Sequence, residues 1–292
     1  MKNNFRTDLA CEARDLWLRE APEELPGVRS GAQELHGVAL QVVEIRAPEA
    51  AEKLCKPVGR YATLDLTPLA RREEGAFSRT CAALAEELRR QLALTGRESV
   101  LVVCLGNPDV TPDAVGPLCA GHVLVTAHLK QAMPEDFAPF RTVSLLRTGV
   151  LGTTGVESAR LTAAVAEQVR PDRVVAVDAL AALDTARLCR AVQITDAGIV
   201  PGSGVGNARS ALNRETLGVP VVAVGVPTVV DAATLCADLT GGERPAPEGA
   251  PLFVTPRDID ARVREAARLV GRAIDLALHP GLTPEDLDAL LD

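Results

Sequence analysis

The chain has 292 residues, 47% of them hydrophobic, enough for one large α/β domain or two modest ones whose core needs neither metal nor disulfide. Its formal net charge is −8 and no stretch gathers Lys and Arg into a patch, which argues against direct nucleic-acid binding, since phosphate contacts need clustered cations. The seven cysteines fall at irregular spacings with no CxxC pair, which excludes an obvious zinc ribbon and fits a reducing compartment.

The N-terminal stretch is polar and charged, with Pro22 and Pro26 breaking any long helix and no apolar segment resembling a signal peptide. No run approaches the length that crosses a bilayer, so the sequence reads as a soluble, cytoplasmic protein with no membrane partner. Two strand-like stretches follow, Val38–Ile45 and 61–66. A helix is expected over 78–94, where Cys81, Leu84, Leu88 and Leu92 share one face and Gly96 supplies a stop. From residue 99 the pattern becomes strand, loop, helix, repeated. Residues 99–105 (SVLVVCL), 173–177 (RVVAV) and 219–226 (VPVVAVGV) are continuous apolar runs, as strands covered on both faces should be. Helices are expected over 114–129 and 155–169, and another starting after Thr228. This alternation predicts an α/β fold with a mostly parallel sheet flanked by helices, three layers in the order αβα. Beyond a Gly- and Pro-rich segment at 240–251, expected as an exposed loop, Thr255-Pro256-Arg257-Asp258 and Thr283-Pro284-Glu285-Asp286 each read as a helix start with Thr as cap.

In an open parallel sheet, ligands bind beyond the carboxyl ends of the strands. Asp113 follows the first apolar strand within GNPDVTPDAVGP (106–117), and Asp178 ends the run RVVAVD. Two carboxyls facing one crevice cannot both ionise cheaply, so one stays protonated as an acid while the other activates water. Thr111-Pro112-Asp113 is equally a good helix start, so on pattern alone Asp113 reads as cap or catalyst. Asp231, three residues after Thr228, reads as completing a capping box with it rather than as a site residue. Two glycine-rich stretches stay open. Residues 149–155, with Gly152 and Gly155, read as an oxyanion loop or a tight turn. Residues 202–207, with Gly202, Gly204 and Gly206, read as a substrate-clamping loop or a turn, and lack phosphate-loop spacing. There is no HExxH and no GxSxG, Asp196-Ala197-Gly198 reads as a loop, and neither a metal nor a cofactor is implied.

Several segments in order resemble the germination proteases of spore-forming bacteria over nearly the whole length: RTDLACEAR (6–14), GNPDVTPDAVGP (106–117), LVTAHL (124–129), GVLGTTGVES (149–158), VVAVDALAA (174–182), QITDAGIVPGSGVGNAR (193–209), ETLGVPVVAVGVPTVVDA (215–232), FVTPRDID (253–260) and IDLALHP (274–280). The resemblance implies a self-processing endopeptidase, made as a zymogen, that degrades small acid-soluble spore proteins at germination. It further implies a homotetramer in the forespore or spore core and two required aspartates, which fall on Asp113 and Asp178. Family cleavage after an acidic residue and before an apolar one followed by Ala reads here as Asp8-Leu9-Ala10. Residues 1–8 are then a propeptide and 9–292 a single protease domain. The chain departs from the family pattern in Asp196-Ala197-Gly198, where Thr is usual in the middle, and in Pro108-Asp109, where an aromatic and Asn are commoner.

Two alternatives remain at this level. A hydrogenase-maturation-type, metal-sensing protease is similar in fold and shares a Gly-Asn loop with an Asp after the first strand, but usually adds a site histidine. A non-catalytic α/β binding module would use the 202–207 loop for its ligand.

Overall fold

The computed structural model describes residues 7–21, 23–96, 98–204, 206, 209–240 and 252–291. Residues 1–6 of the expected propeptide and 241–251 of the expected loop lie outside them. The strands are β1 (Val28–Leu35), β2 (Val38–Ile45), β3 (Gly59–Asp65), β4 (Val100–Leu105), β5 (Val143–Gly149), β6 (Arg173–Ala182), β7 (Ala191–Thr195), β8 (Val221–Asp231) and β9 (Phe253–Val254). They form one sheet in the order β1-β2-β3-β7-β8-β6-β4-β5, with β9 beside β8. Pairing is parallel from β5 through β4 and β6 to β8, the half built from the continuous apolar runs. It is antiparallel from β8 through β7, β3 and β2 to β1, so the sheet as a whole is mixed.

The helices are α1 (Ala10–Glu20), α2 (Pro48–Leu54), α3 (Thr67–Ala70), α4 (Ala76–Leu92), α5 (Val115–Cys119), α6 (Ala127–Ala132), α7 (Leu151–Thr154), α8 (Ser158–Val169), α9 (Arg214–Leu217), α10 (Ala232–Thr240), α11 (Ile259–Leu278) and α12 (Pro284–Leu291). One sheet face is covered by α4, α5 and α11, whose Leu84, Leu88, Val115 and Val270 pack on Val102, Val175, Val177 and Ile194. The other face carries two separate cores. In one, α8 packs on Leu101, Val103, Val174 and Ala176; in the other, α1 and α2 pack on Val43, Ile45, Tyr61 and Leu180. The α/β expectation therefore stands, and the gap between these two cores is where the site lies.

Several expected elements are corrected. The helix expected over 114–129 is broken: α5 gives way to a 3-10 turn at Ala120–His122 and extended backbone at Val123. The Leu124 N–H there donates to Asp275 Oδ1 on α11 at 2.9 Å, a partner that competes with helical bonding. The helix expected from 155 begins at Ser158, because Gly155 (φ 69°) closes α7 in the left-handed conformation. The helix expected after Thr228 begins only at Ala232, since β8 runs on to Asp231. Asp231 is therefore not the third residue of a box opened by Thr228 but the N-cap itself, accepting from the N–H groups of Ala233 (2.9 Å) and Thr234 (3.2 Å). At 255 the expected cap fails: the Thr255 hydroxyl donates to the Thr228 carbonyl at 2.8 Å, and α11 starts at Ile259. At 283 the cap holds, with Thr283 and Asp286 bonding each other's N–H reciprocally. α1, β1, β5 and β7 were not anticipated; β1 is largely exposed, so it has no apolar alternation to read.

Gly116 sets α5 directly on the sheet. A Cβ there would lie 2.1 Å from the Leu105 carbonyl oxygen and 2.8 Å from that of Val177, both backbone atoms that cannot rotate away. Gly116→Ala is expected to lower unfolding free energy by about 2 kcal/mol or more, read from the denaturant midpoint; an unchanged midpoint would show that α5 can lift off the sheet freely.

Candidate active site

β6 and β8 stay paired with each other well beyond the end of β4, whose last partner on β6 is Val177. The residue after it is Asp178, so the expectation that Asp178 ends its strand is corrected: it sits mid-strand, at the point where β4 stops. It is 6% exposed. Its neighbours Val175 and Val177 face α4 and α11, so Asp178 points to the opposite face, into the gap between the two smaller cores. The Ala179 N–H donates to its Oδ1 at 2.9 Å.

Asp113 closes a 3-10 turn, Thr111–Asp113, after β4. The loop folds back so tightly that the Asn107 N–H reaches both the Asp113 carbonyl (3.1 Å) and its Oδ2 (2.9 Å). Gly106 permits this: its φ is 114°, and a Cβ would lie 2.0 Å from the Asp113 carbonyl oxygen. Asp113 and Asp178 line one cavity of about 580 Å³. Burial pushes the Asp113 carboxyl up to about 6 against the pull of the Asn107 N–H. For Asp178, burial first and the Asp113 charge second drive the carboxyl well above its ordinary range, the Ala179 N–H opposing.

The N-terminal segment crosses the same gap. Asp8 lines the cavity. Its N–H donates to the Ala181 carbonyl at 2.9 Å, and its Oδ2 accepts from the Ala181 N–H at 2.8 Å. The Ser203 hydroxyl donates to Oδ1 at 2.7 Å. Gln193 of β7 spans the next bond: its Nε2 donates to the Asp8 carbonyl at 3.0 Å and its Oε1 accepts from the Ala10 N–H at 2.8 Å. Leu9 between them is extended (φ −82°, ψ 124°) and wholly buried. Lys56 Nζ donates to the Thr7 carbonyl at 2.6 Å, and the Glu12 carboxylate accepts from the N–H groups of Leu183 and Asp184 just beyond β6.

Asp8, Asp113, Asp178, Gly152, Gly202 and Gly204 thus line one cavity. Gly155 and Gly206 do not line it: Gly155 ends α7, and Gly206 has φ 72° in a turn, its N–H bonded to the Ser203 carbonyl. Asp196 is in a loop, as expected, with Oδ1 accepting from the Arg60 N–H at 2.7 Å. Gln193 and Thr228 were missed. Gln193 is an amide inside the otherwise mostly apolar strand AVQIT and is 5% exposed, which marks it in the sequence as a buried polar group in need of a partner. Thr228 sits at the register shift between β6 and β8, lines the cavity, and has a buried hydroxyl with no hydrogen-bond partner among the described residues.

The model of the germination protease family matches residues 7–241. A germination protease from Caldanaerobacter subterraneus is 38% identical, covering 98% of each chain. One from Clostridium perfringens is 34% identical over 99% of each, and one from Priestia megaterium 33% identical over 98% of this chain and 96% of its own. A solved structure, a [NiFe] hydrogenase maturation protease HycI from Thermococcus kodakarensis KOD1, covers 64% of this chain and 98% of its own at 19% identity and a TM-score of 0.36, too loose a likeness to carry an assignment.

The raised Asp113 carboxyl has a stability signature. Its folded value of about 6 lies above that of an unfolded chain, so stability falls as pH rises from about 4 to 6, and the penalty persists above. Asp113→Asn is expected to be more stable than the natural chain by about 3 kcal/mol at pH 8 and about equal to it at pH 4, measured by denaturant unfolding. An equal difference at both pH values would remove ionisation as the cause.

Proposed function

The chain belongs to the germination protease family, and from that premise we propose that it is a self-processing endopeptidase that cuts small acid-soluble spore proteins after acidic residues, using Asp113 and Asp178. One observation carries this reading: the Asp8–Leu9 bond, where family-type processing should fall, is held extended beside a cavity lined by Asp8 and both carboxyls. The maturation-protease and binding-module alternatives have no comparable support once the family is known. Residues 1–8 act in this reading as a propeptide. The homotetramer and the spore-core location rest on the family likeness alone.

The electrostatics divide the labour. Asp113, at about 6, loses its proton first, and its charge then holds Asp178 protonated; the two titrate as a unit. Near neutral pH Asp113 is the base and Asp178 the acid. Asp113 takes a proton from water as the hydroxyl adds to the carbonyl carbon of the acidic residue. The oxygen that gains charge is the one bonded by Gln193 Nε2, a donor already in place before the reaction. As the C–N bond breaks, the leaving nitrogen takes a proton from Asp178, leaving a new carboxyl on the acidic residue and a free amine on the apolar one. The unpartnered Thr228 hydroxyl offers a hydrogen bond to water or peptide in the cavity.

Incubated alone and with a purified small acid-soluble spore protein, the chain should lose residues 1–8 and cut the substrate after acidic residues, read by intact mass. Asp113→Asn and Asp178→Asn should each slow both reactions by about a thousandfold or more, the scale of general acid–base catalysis plus a broken pair. The rate of the natural chain should rise with pH through about 6 as Asp113 ionises. Normal processing and cutting by both variants would sink the carboxyl assignment.

A further inference from the structure

The Asp8 carboxylate occupies a socket built of donors. Ser203 Oγ gives it a hydrogen bond at 2.7 Å on one oxygen and the Ala181 N–H one at 2.8 Å on the other. The Ser203 hydroxyl can turn to accept from a neutral amide, so the preference for a carboxylate comes from charge: both bonds to an ionised group are charge-assisted, about twice as strong as neutral ones. Gly204 forms the wall: a Cβ there would lie 2.1 Å from Asp8 Oδ2 and 2.7 Å from the Ala181 Cβ. A smaller cavity of about 170 Å³ adjoins the socket, lined by Asp8, Ser203, Gln193 and Lys56. Lys56 supplies positive charge there; burial pulls its ammonium down, and the Asp8 carboxylate is the largest influence holding it up.

We propose that this socket, Ser203 hydroxyl, Ala181 N–H and the bare wall of Gly204 beside Lys56, is the subsite that reads the acidic residue preceding the cut, in the chain's own processing and in its substrates alike. This deepens the cleavage reading above and rests on it. While Asp8 is seated, the subsite is filled by the chain itself. A substrate's acidic side chain enters only when Asp8 leaves, so one set of contacts fixes both the cleavage position and the masking of the uncut chain. Gln193 hydrogen-bonds the backbone on either side of Leu9, so it sets register, and the socket sets residue choice.

A double-mutant cycle on full-length chain tests this, following loss of residues 1–8 by intact mass for the natural sequence, Ser203→Ala, Asp8→Asn and the double variant. Removing a hydrogen bond to a charged group should slow processing about tenfold in Ser203→Ala, while adding Ser203→Ala to Asp8→Asn should change the rate less than about twofold. In trans, two peptides differing only in Asp or Asn before Leu-Ala are compared by kcat/KM. Ser203→Ala should lose about tenfold on the Asp peptide alone, and Lys56→Met should lower the Asp peptide's advantage in the same direction, with melting temperatures unchanged. Equal slowing of both peptides, or no slowing of either, by Ser203→Ala in a chain that cuts overturns the socket while leaving the cleavage reading intact. A natural chain that neither trims itself nor cuts either peptide overturns the cleavage reading and the socket with it.

Discussion

The site depends on one free edge. β6 continues past Val177, the last of its residues to pair with β4, so the backbone groups of residues 178–182 on that side have no strand to bond. Buried N–H and C=O groups left unpaired cost as much as a lost hydrogen bond, so something has to meet them. Asp178 meets the first with its own carboxyl, which accepts from the Ala179 N–H. The N-terminal segment meets the next ones, with Asp8 taking both groups of Ala181 and Glu12 taking Leu183 and Asp184. An open edge that accepts an extended segment is a general way for a protein to bind peptide. Here the segment it holds is the chain's own N-terminus.

The same edge explains the electrostatics. Were β4 longer, Asp178 would be sealed in the sheet; were β6 shorter, Asp178 would be at a solvated strand end. Instead it is buried, yet opens on a cavity. The loop after β4, turned back at Gly106, brings Asp113 to that cavity, and its charge adds to what burial already costs an ionised Asp178. Ordinary surface aspartates would both be ionised near neutral pH and neither would hold a proton to give. The strands' mismatched lengths are therefore what gives two identical side chains different burdens of ionisation, the asymmetry the proposed acid and base roles require.

Much of this was legible in the sequence, for physical reasons. The runs at 99–105, 173–177 and 219–226 are apolar on both faces, so they declare buried parallel strands, and Asp178 stands out because a charge interrupts one of them. What could not be read was where each strand stops: β6 and β8 outrun their apolar runs because they pair with each other, a long-range fact with no local signal. β1 was hidden because its faces are mostly exposed, and the 114–129 helix was overestimated because a carboxylate on α11, Asp275, captures the Leu124 N–H. Asp8 and Leu9 were found through motif resemblance. Nothing in their local pattern foretold that Ser203 and Gln193, nearly two hundred residues away, would hold them.

The claim on which the account turns is that the two carboxyls hold unequal protons in one cavity. Carbon-13 labelling of the aspartate carboxyls, with Asp113→Asn and Asp178→Asn to assign the signals, reads this directly by NMR titration. The Asp113 signal should titrate near 6 and Asp178 should stay protonated to distinctly higher pH, dropping when Asp113 is replaced. Two signals titrating together near 4, each indifferent to replacement of the other, would contradict it.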